Sequence, residues 1–361
     1  MRLSSFEWLG APSGDARRDD SRTHAERLSS FDITLNFTAR SNSIIMEPVA
    51  TEDGWLTTPD GEKLYTKTWK APPDALKARM VAIHGFSDHC DFYGILFPTL
   101  AQRGITVYGF DQRGWGRSVH EPAQKGRTGP TKQVLADITT FIKSLPEEGS
   151  HVPTFLFGHS MGGAEVIHYA ASGPQEVVSG IRGFLLESPF IDLHPSGRPW
   201  KSTVVLGRLV GRLLPNMHML QALDPAKLSR DENVGKTWKA DPLCHDTGTL
   251  QGLAGMLDRA EEIRHGKVVL KDGIGEGGKT RLWVGHGTAD QICDCEATRK
   301  WYEGLQIADK EAKLYEGHFH KLHDEPGQDR VHFANDVSSW ILARCNSEDR
   351  AAATTEARSK L

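Results

Sequence analysis

The sequence has no surplus of positive charge: 43 basic residues stand against 47 acidic ones, a formal net charge of −4. Recognition of nucleic acid through its phosphates needs a basic excess, so no nucleic-acid partner is expected. Paired cysteines are also missing. Cys90, Cys244, Cys293, Cys295 and Cys345 are odd in number and show no CxxC spacing, so free thiols in a reducing compartment are expected. No apolar run reaches the 18 or so residues of a membrane span, and Val204 to Leu214 is broken by Arg208 and Arg212. Met1 to Ser30 carries no secretory apolar core, which leaves the sequon Asn36-Phe37-Thr38 without meaning. Internal repeats are absent. What is present is apolar material for a sizeable core, 38% of residues, and 36 glycines. That is somewhat more glycine than the usual share near 7%, which favours a fold rich in tight strand-to-helix turns.

Residues 1–45 are polar and irregular, with six arginines, no lysine and six acids. The acids argue against a mitochondrial presequence, and a disordered leader is expected. From Gly54 onward short apolar or β-branched runs recur. Leu64 to Trp69, Met80 to His84, Thr106 to Phe110, Thr154 to Phe157, Ile181 to Leu186, Arg281 to Val284 and Lys313 to Tyr315 read as strands. Helical spacing lies between several of them, as in Val134, Ile138, Phe141 and Ile142, or Phe333, Val337, Trp340 and Ile341. This alternation predicts an α/β fold, a mostly parallel sheet covered on both faces. Residues 46–188 and 279–345 form the two parts of that core. Between them, 189–278 loses the strand signal and reads as an inserted helical cap. Residues 346–361 read as a disordered tail ending in Ser359-Lys360-Leu361, the tripeptide read by the peroxisomal import receptor. A peroxisomal location is expected, with the cytoplasm or a lipid-droplet or membrane surface as the alternative.

The chemistry begins at Gly158-His159-Ser160-Met161-Gly162, a G-x-S-x-G sequence between an apolar strand and a run of helix formers. A sharp strand-to-helix turn holds its serine in a strained conformation, and side chains at 158 and 162 would collide with neighbouring elements. The turn lifts the Ser160 hydroxyl to a helix N-terminus, where an anion is favoured. An oxyanion needs two donors. The backbone N–H of Met161 is one, and that of Phe86, after the strand ending His84-Gly85, is the other. No cofactor and no metal are called for.

On such a fold the acid and the base follow the serine in sequence. Asp290, on the loop after the strand Arg281 to Val284, is the expected acid, and the rival Asp294 reads as a helix N-cap. The last strand leads into Glu316-Gly-His-Phe-His-Lys-Leu-His323. His320 is the expected base, with His323 its main rival and His318 a weaker one. The three histidines share the spacing of the metallo-β-lactamase motif, but Leu322 occupies the aspartate position.

Residues 50–345 resemble the monoacylglycerol lipase group of serine α/β-hydrolases, of the serine aminopeptidase S33 type and especially its fungal members. The resemblance rests on His84-Gly-Phe86, Phe110-Asp-Gln-Arg-Gly-Trp-Gly-Arg-Ser118, Gly158-His-Ser-Met-Gly-Gly163, Gly285-His-Gly-Thr-Ala-Asp-Gln-Ile-Cys-Asp294 and Tyr315-Glu-Gly-His-Phe-His320. It implies an α/β-hydrolase fold and an acyl ester lipid as substrate, with Ser160, Asp290 and His320 catalytic and Phe86 and Met161 as oxyanion donors. The cap segment Val204 to Pro215 would carry leucine and valine on one side and arginine on the other. That suits transient contact with a membrane, or packing of the cap on its own core. Three other readings share the constellation. They are an acyl-ester or acyl-CoA thioester hydrolase of a fatty-acid or secondary-metabolite pathway, an acyltransferase, and a non-catalytic ligand receptor.

Overall fold

The structure is a computed structural model that describes residues 48–146, 152–198 and 200–345. The expected leader, 1–45, and the tail with Ser359, Lys360 and Leu361 lie outside the described residues. Eight strands form the main sheet: Thr51–Thr57 (β1), Lys63–Trp69 (β2), Ala78–Ile83 (β3), Ile105–Phe110 (β4), Thr154–His159 (β5), Ile181–Glu187 (β6), Arg281–Gly287 (β9) and Asp309–Tyr315 (β10). Two three-residue strands, His218–Leu220 (β7) and Thr247–Thr249 (β8), pair with each other in the segment between β6 and β9. The sheet order is β1-β2-β4-β3-β5-β6-β9-β10, antiparallel at β1/β2 and β2/β4 and parallel elsewhere. This is the α/β-hydrolase fold.

Every residue of β4, β5 and β6 is buried, as parallel strands covered on both faces require. The period-two alternation sorts their side chains. Val81, Ile83, Leu156, Phe184 and Leu186 join the core under Thr131–Ser144 (α2), Met161–Ser172 (α3) and Leu250–Arg264 (α7). Met80, Ala82, Phe155, Phe157 and Leu185 join the core under Leu96–Gln102 (α1) and Gln328–Ala343 (α9). The remaining helices are Gln175–Val178 (α4), Lys201–Leu213 (α5), Glu232–Ala240 (α6) and Cys295–Gly304 (α8).

Six of the seven strands read from sequence lie within observed ones, and the seventh, Met80 to His84, runs one residue past the end of β3. Two features differ. β1 was not expected: Thr51, Glu52, Asp53 and Gly54 offer little apolar signal, and the strand exists because β2 supplies a partner for each of its residues. The β7/β8 pair interrupts an insertion that reads as purely helical. Its strands are too short for a local pattern and are held by each other and by Gly126, whose carbonyl accepts from Thr249 N–H at 3.2 Å.

The strand order reverses at β3, whose parallel neighbours β4 and β5 lie on opposite sides. Ligands of open α/β sheets bind beyond the carboxyl ends of strands at such a point. His84, Ser160, Glu187, Asp290 and His320 follow or end β3, β5, β6, β9 and β10 on that same edge.

Candidate active site

Ser160 joins β5 to α3 with φ 55 and ψ −116, a conformation that L-residues avoid. Packing explains how it persists. A Cβ on Gly158 would stand 2.3 Å from the Gly162 carbonyl oxygen, and one on Gly162 would stand 2.3 Å from the Ile83 oxygen. The helix therefore starts only one residue after the strand, against β3. The Ser160 N–H donates to the Glu187 carbonyl at 2.9 Å, and the Ser160 carbonyl accepts from Phe190 N–H, also at 2.9 Å. The serine is thus pinned from β6 while its side chain sits at the N-terminus of the twelve-residue α3.

His320 Nδ1 and Asp290 Oδ2 are 2.8 Å apart, both buried. Asp290 receives three further donors: His286 Nε2 at 3.1 Å and the backbone amides of Ile292 and Cys293 at 2.7 and 3.0 Å. Burial alone would raise its carboxyl, but His320 and His286 outweigh burial and hold it well below the ordinary carboxylate value. It is an anion placed to orient an imidazole. Cys293 links this pair to the serine. Its Sγ lies 3.9 Å from Ser160 Oγ, and the same thiol has ligand-type atoms of Asp290 and His320 within 4.8 Å.

The rivals take other partners. Asp294 caps α8, accepting from Glu296 N–H at 3.0 Å. His323 is buried with Nδ1 2.8 Å from both oxygens of Glu187. Burial would lower its imidazole, but Glu187 and Asp324 hold it above the usual value. His318 Nδ1 meets the Glu316 carbonyl at 2.9 Å, and its Nε2 lies 3.6 Å from Asp329. The three imidazoles thus face three different carboxylates and do not converge as metal ligands would. His89, Asp241 and Cys244 do converge within 4.8 Å. His89 Nδ1 accepts the Asp91 N–H at 3.3 Å, however, so its Nε2 carries the proton shared with Asp241 at 3.1 Å.

Around the oxyanion position, a Cβ on Gly85 would stand 3.2 Å from the Ser160 Cβ, so the Gly85-Phe86 backbone runs directly beside the serine. His84 fixes that loop. Its Nδ1 meets the Gly85 carbonyl at 2.8 Å, its Nε2 accepts Gln112 N–H at 2.8 Å, and Gln112 Nε2 donates to the His84 carbonyl at 2.8 Å. Burial pushes the His84 imidazole below its ordinary value, which keeps it neutral for this role. Asp111 completes the clamp through the amides of Cys90 and Arg117 at 2.8 and 2.7 Å. The segment between β6 and β9 reaches the same loop: Trp238 Nε1 donates to the Ser87 carbonyl at 3.0 Å and Asp246 N–H to Ser87 Oγ at 2.9 Å.

Sequence reasoning missed four contributors. Cys293, Glu187, His286 and the buried Asp88–Lys321 pair, 3.0 Å apart, lack motif chemistry of their own. Only His286 carried a signal, four residues before the acid on the same strand end.

Residues 74–327, more than half of the chain, match the family described as serine aminopeptidase, S33. A Schizosaccharomyces pombe relative is 32% identical over 279 residues, 77% of this chain and 71% of its own. The monoglyceride lipase of Rattus norvegicus is 28% identical over 297 residues, 80% of this chain and 90% of its own. Among solved structures, a soluble variant of the Saccharomyces cerevisiae monoglyceride lipase, bound to a substrate analog, aligns with a TM-score of 0.73 at 24% identity. It covers 83% of this chain and 97% of that one. The Paleococcus ferrophilus monoacylglycerol lipase aligns with a TM-score of 0.65 at 28% identity, covering 78% and 99%.

Proposed function

Because the chain belongs to the serine aminopeptidase S33 family, we propose that it hydrolyses monoacylglycerols and similar acyl esters through an acyl-enzyme on Ser160. Its relatives include serine ester hydrolases named as monoglyceride lipases. The observation that carries the proposal is the 2.8 Å pairing of His320 Nδ1 with the Asp290 carboxylate, linked through Cys293 to a serine held at φ 55 on a helix N-terminus. With Nδ1–H donated to Asp290, His320 presents an unprotonated Nε2 and acts as the base.

Ser160 Oγ attacks the ester carbonyl carbon while its proton passes to His320 Nε2. The carbonyl oxygen becomes an anion and accepts from the N–H groups of Met161 and Phe86. As the tetrahedral species collapses, the bond to the leaving alcohol breaks and His320 returns the proton to that oxygen. Water then repeats the sequence on the acyl-enzyme, releasing the fatty acid and Ser160. The imidazolium formed midway is stabilised by the ionised Asp290, whose four donors keep it charged.

A lipid substrate is supported by α5 and the turn after it. Leu206, Leu209, Leu213, Leu214, Met217, Met219 and Leu220 are exposed, while Arg208 pairs with Asp258 and Glu261 on α7. A helix that turns Arg208 inward and its leucines outward, with Arg212 exposed beside them, suits contact with a lipid surface. Import into peroxisomes through Ser359-Lys360-Leu361 belongs to the same proposal and rests on the tripeptide.

Ser160→Ala tests the mechanism. Hydrolysis of a monoacylglycerol and of a short-chain aryl ester is expected to fall about 10⁴-fold or more, and labelling by a fluorophosphonate probe to vanish, with the fold intact by circular dichroism. Retained turnover in the folded variant refutes the assignment.

A further inference from the structure

A cleft of about 420 Å³ lies where the segment after β6 meets the end of α7 and the helix α8, and none of Ser160, Asp290 and His320 lines it. Its apolar lining includes Ile191, Ile263 and Leu305, all buried. Its charged residues divide by depth. The carboxylates of Asp192 and Asp294 are only 16% and 17% exposed and are already satisfied. Arg198 reaches each of them at 3.0 Å, and Arg264 reaches Asp192 at 2.6 Å. The amides of Leu193 and Glu296 donate to their other oxygens at 2.9 and 3.0 Å.

The cations stay further out: Arg264 is 41% exposed, Arg198 44% and Lys300 69%, with Lys300 also reaching Glu296 at 3.4 Å. A guanidinium has five N–H donors, so both arginines keep capacity after serving the carboxylates. A solute at the mouth therefore meets the remaining N–H donors of Arg198, Arg264 and Lys300 above an apolar bed. Trp301 lines the same cleft, and its buried indole N–H finds no acceptor among the described residues.

The size suits one small amphiphile. Its head is best a carboxylate, which makes charge-assisted hydrogen bonds with those donors that a neutral head cannot. A single carboxylate suffices, since a more highly charged group would be repelled by Asp192 and Asp294. We infer that this cleft is a second lipid site, which binds the carboxylate head and proximal chain of a free fatty acid. The inference rests on the ester hydrolysis proposed above, which releases such an acid.

Titration of the full chain with a brominated long-chain fatty acid, below its micelle concentration, tests this by indole fluorescence. Bromine quenches an indole that it touches, so saturable quenching is expected that is lost in Trp301→Phe. Replacing Arg264→Gln and Lys300→Gln together should raise Kd about tenfold. Arg198 still holds both carboxylates in that variant, and its thermal midpoint checks the fold. A brominated alcohol of equal length should bind at least about tenfold more weakly. Full quenching in Trp301→Phe puts the ligand elsewhere and overturns the inference, as does an unchanged Kd in the double variant or equal affinity for acid and alcohol. The titration needs no turnover, so its failure leaves ester hydrolysis standing, and a protein without hydrolytic activity would still give a readable titration.

Discussion

At the scale of single residues, the helix that begins beside Ser160 also carries a buried ion pair joining it to α7. Glu165 Oε1 and Arg259 Nη2 are 2.9 Å apart, and both side chains are almost fully buried. Burial outweighs their attraction at both ends: the carboxyl is pushed up to about 7 and the guanidinium falls below its ordinary value. A carboxyl raised on folding holds its proton in the native state over a range where the unfolded chain has lost it. Stability should therefore be greatest below the ordinary carboxylate value, fall as pH rises towards about 7, and then level off. Glu165→Gln is expected to flatten that profile between pH 5 and 7.5 in urea denaturation, and an unchanged profile contradicts the account. Nothing in the sequence announces this pair, because its members are 94 positions apart and neither sits in a motif. Ser160 is the opposite case, legible because its neighbours at 158 and 162 must be glycine for the turn to close.

Elements show the same contrast between space that is used and space that is free. Gly162 opens α3 against β3, where a methyl group would press on the Ile83 carbonyl at 2.3 Å. Gly162→Ala is expected to cost about 3 kcal/mol by urea denaturation, since backbone cannot yield as a side chain can. Among the described residues no atom lies within 4 Å of where a Cβ on Gly207 in α5 would stand, so Gly207→Ala should be neutral or stabilise by up to about 1 kcal/mol. Equal effects at the two sites would show that propensity and not packing governs both. In α5 the apolar face looks outward. Leu209→Glu with Leu213→Glu is predicted to weaken binding to lipid vesicles and hydrolysis of vesicle-borne monoacylglycerol by about tenfold or more, with turnover of a soluble aryl ester unchanged. Equal losses on both substrates would place the leucines in the reaction itself. Helical spacing made the two-sided character of α5 legible. Its outward leucines were not, because orientation is set by Arg208 meeting Asp258 and Glu261 on α7.

For the molecule as a whole, the order of strands in the sheet does the assembling. Ser160, Asp290 and His320 are carried by β5, β9 and β10, which stand on one side of the reversal at β3, all pointing the same way. The chain outside the described residues has its own test. Deleting Ser359-Lys360-Leu361 should move a tagged protein from peroxisomes to the cytosol without changing its activity, and an unchanged distribution removes the import reading. By itself the sequence determined the seven core strands, the turn at Ser160 and the order serine, acid, histidine. Each of these is a local pattern, in which burial on both faces or a forced backbone angle restricts the residues allowed. Tertiary structure decided what depends on distant partners: which of three histidines meets Asp290, that His323 belongs to Glu187, that Cys293 stands beside Ser160, and that β1 is a strand at all. Side-chain pairing across the sheet is a property of register and strand order, and those arise only when all the strands have found their neighbours.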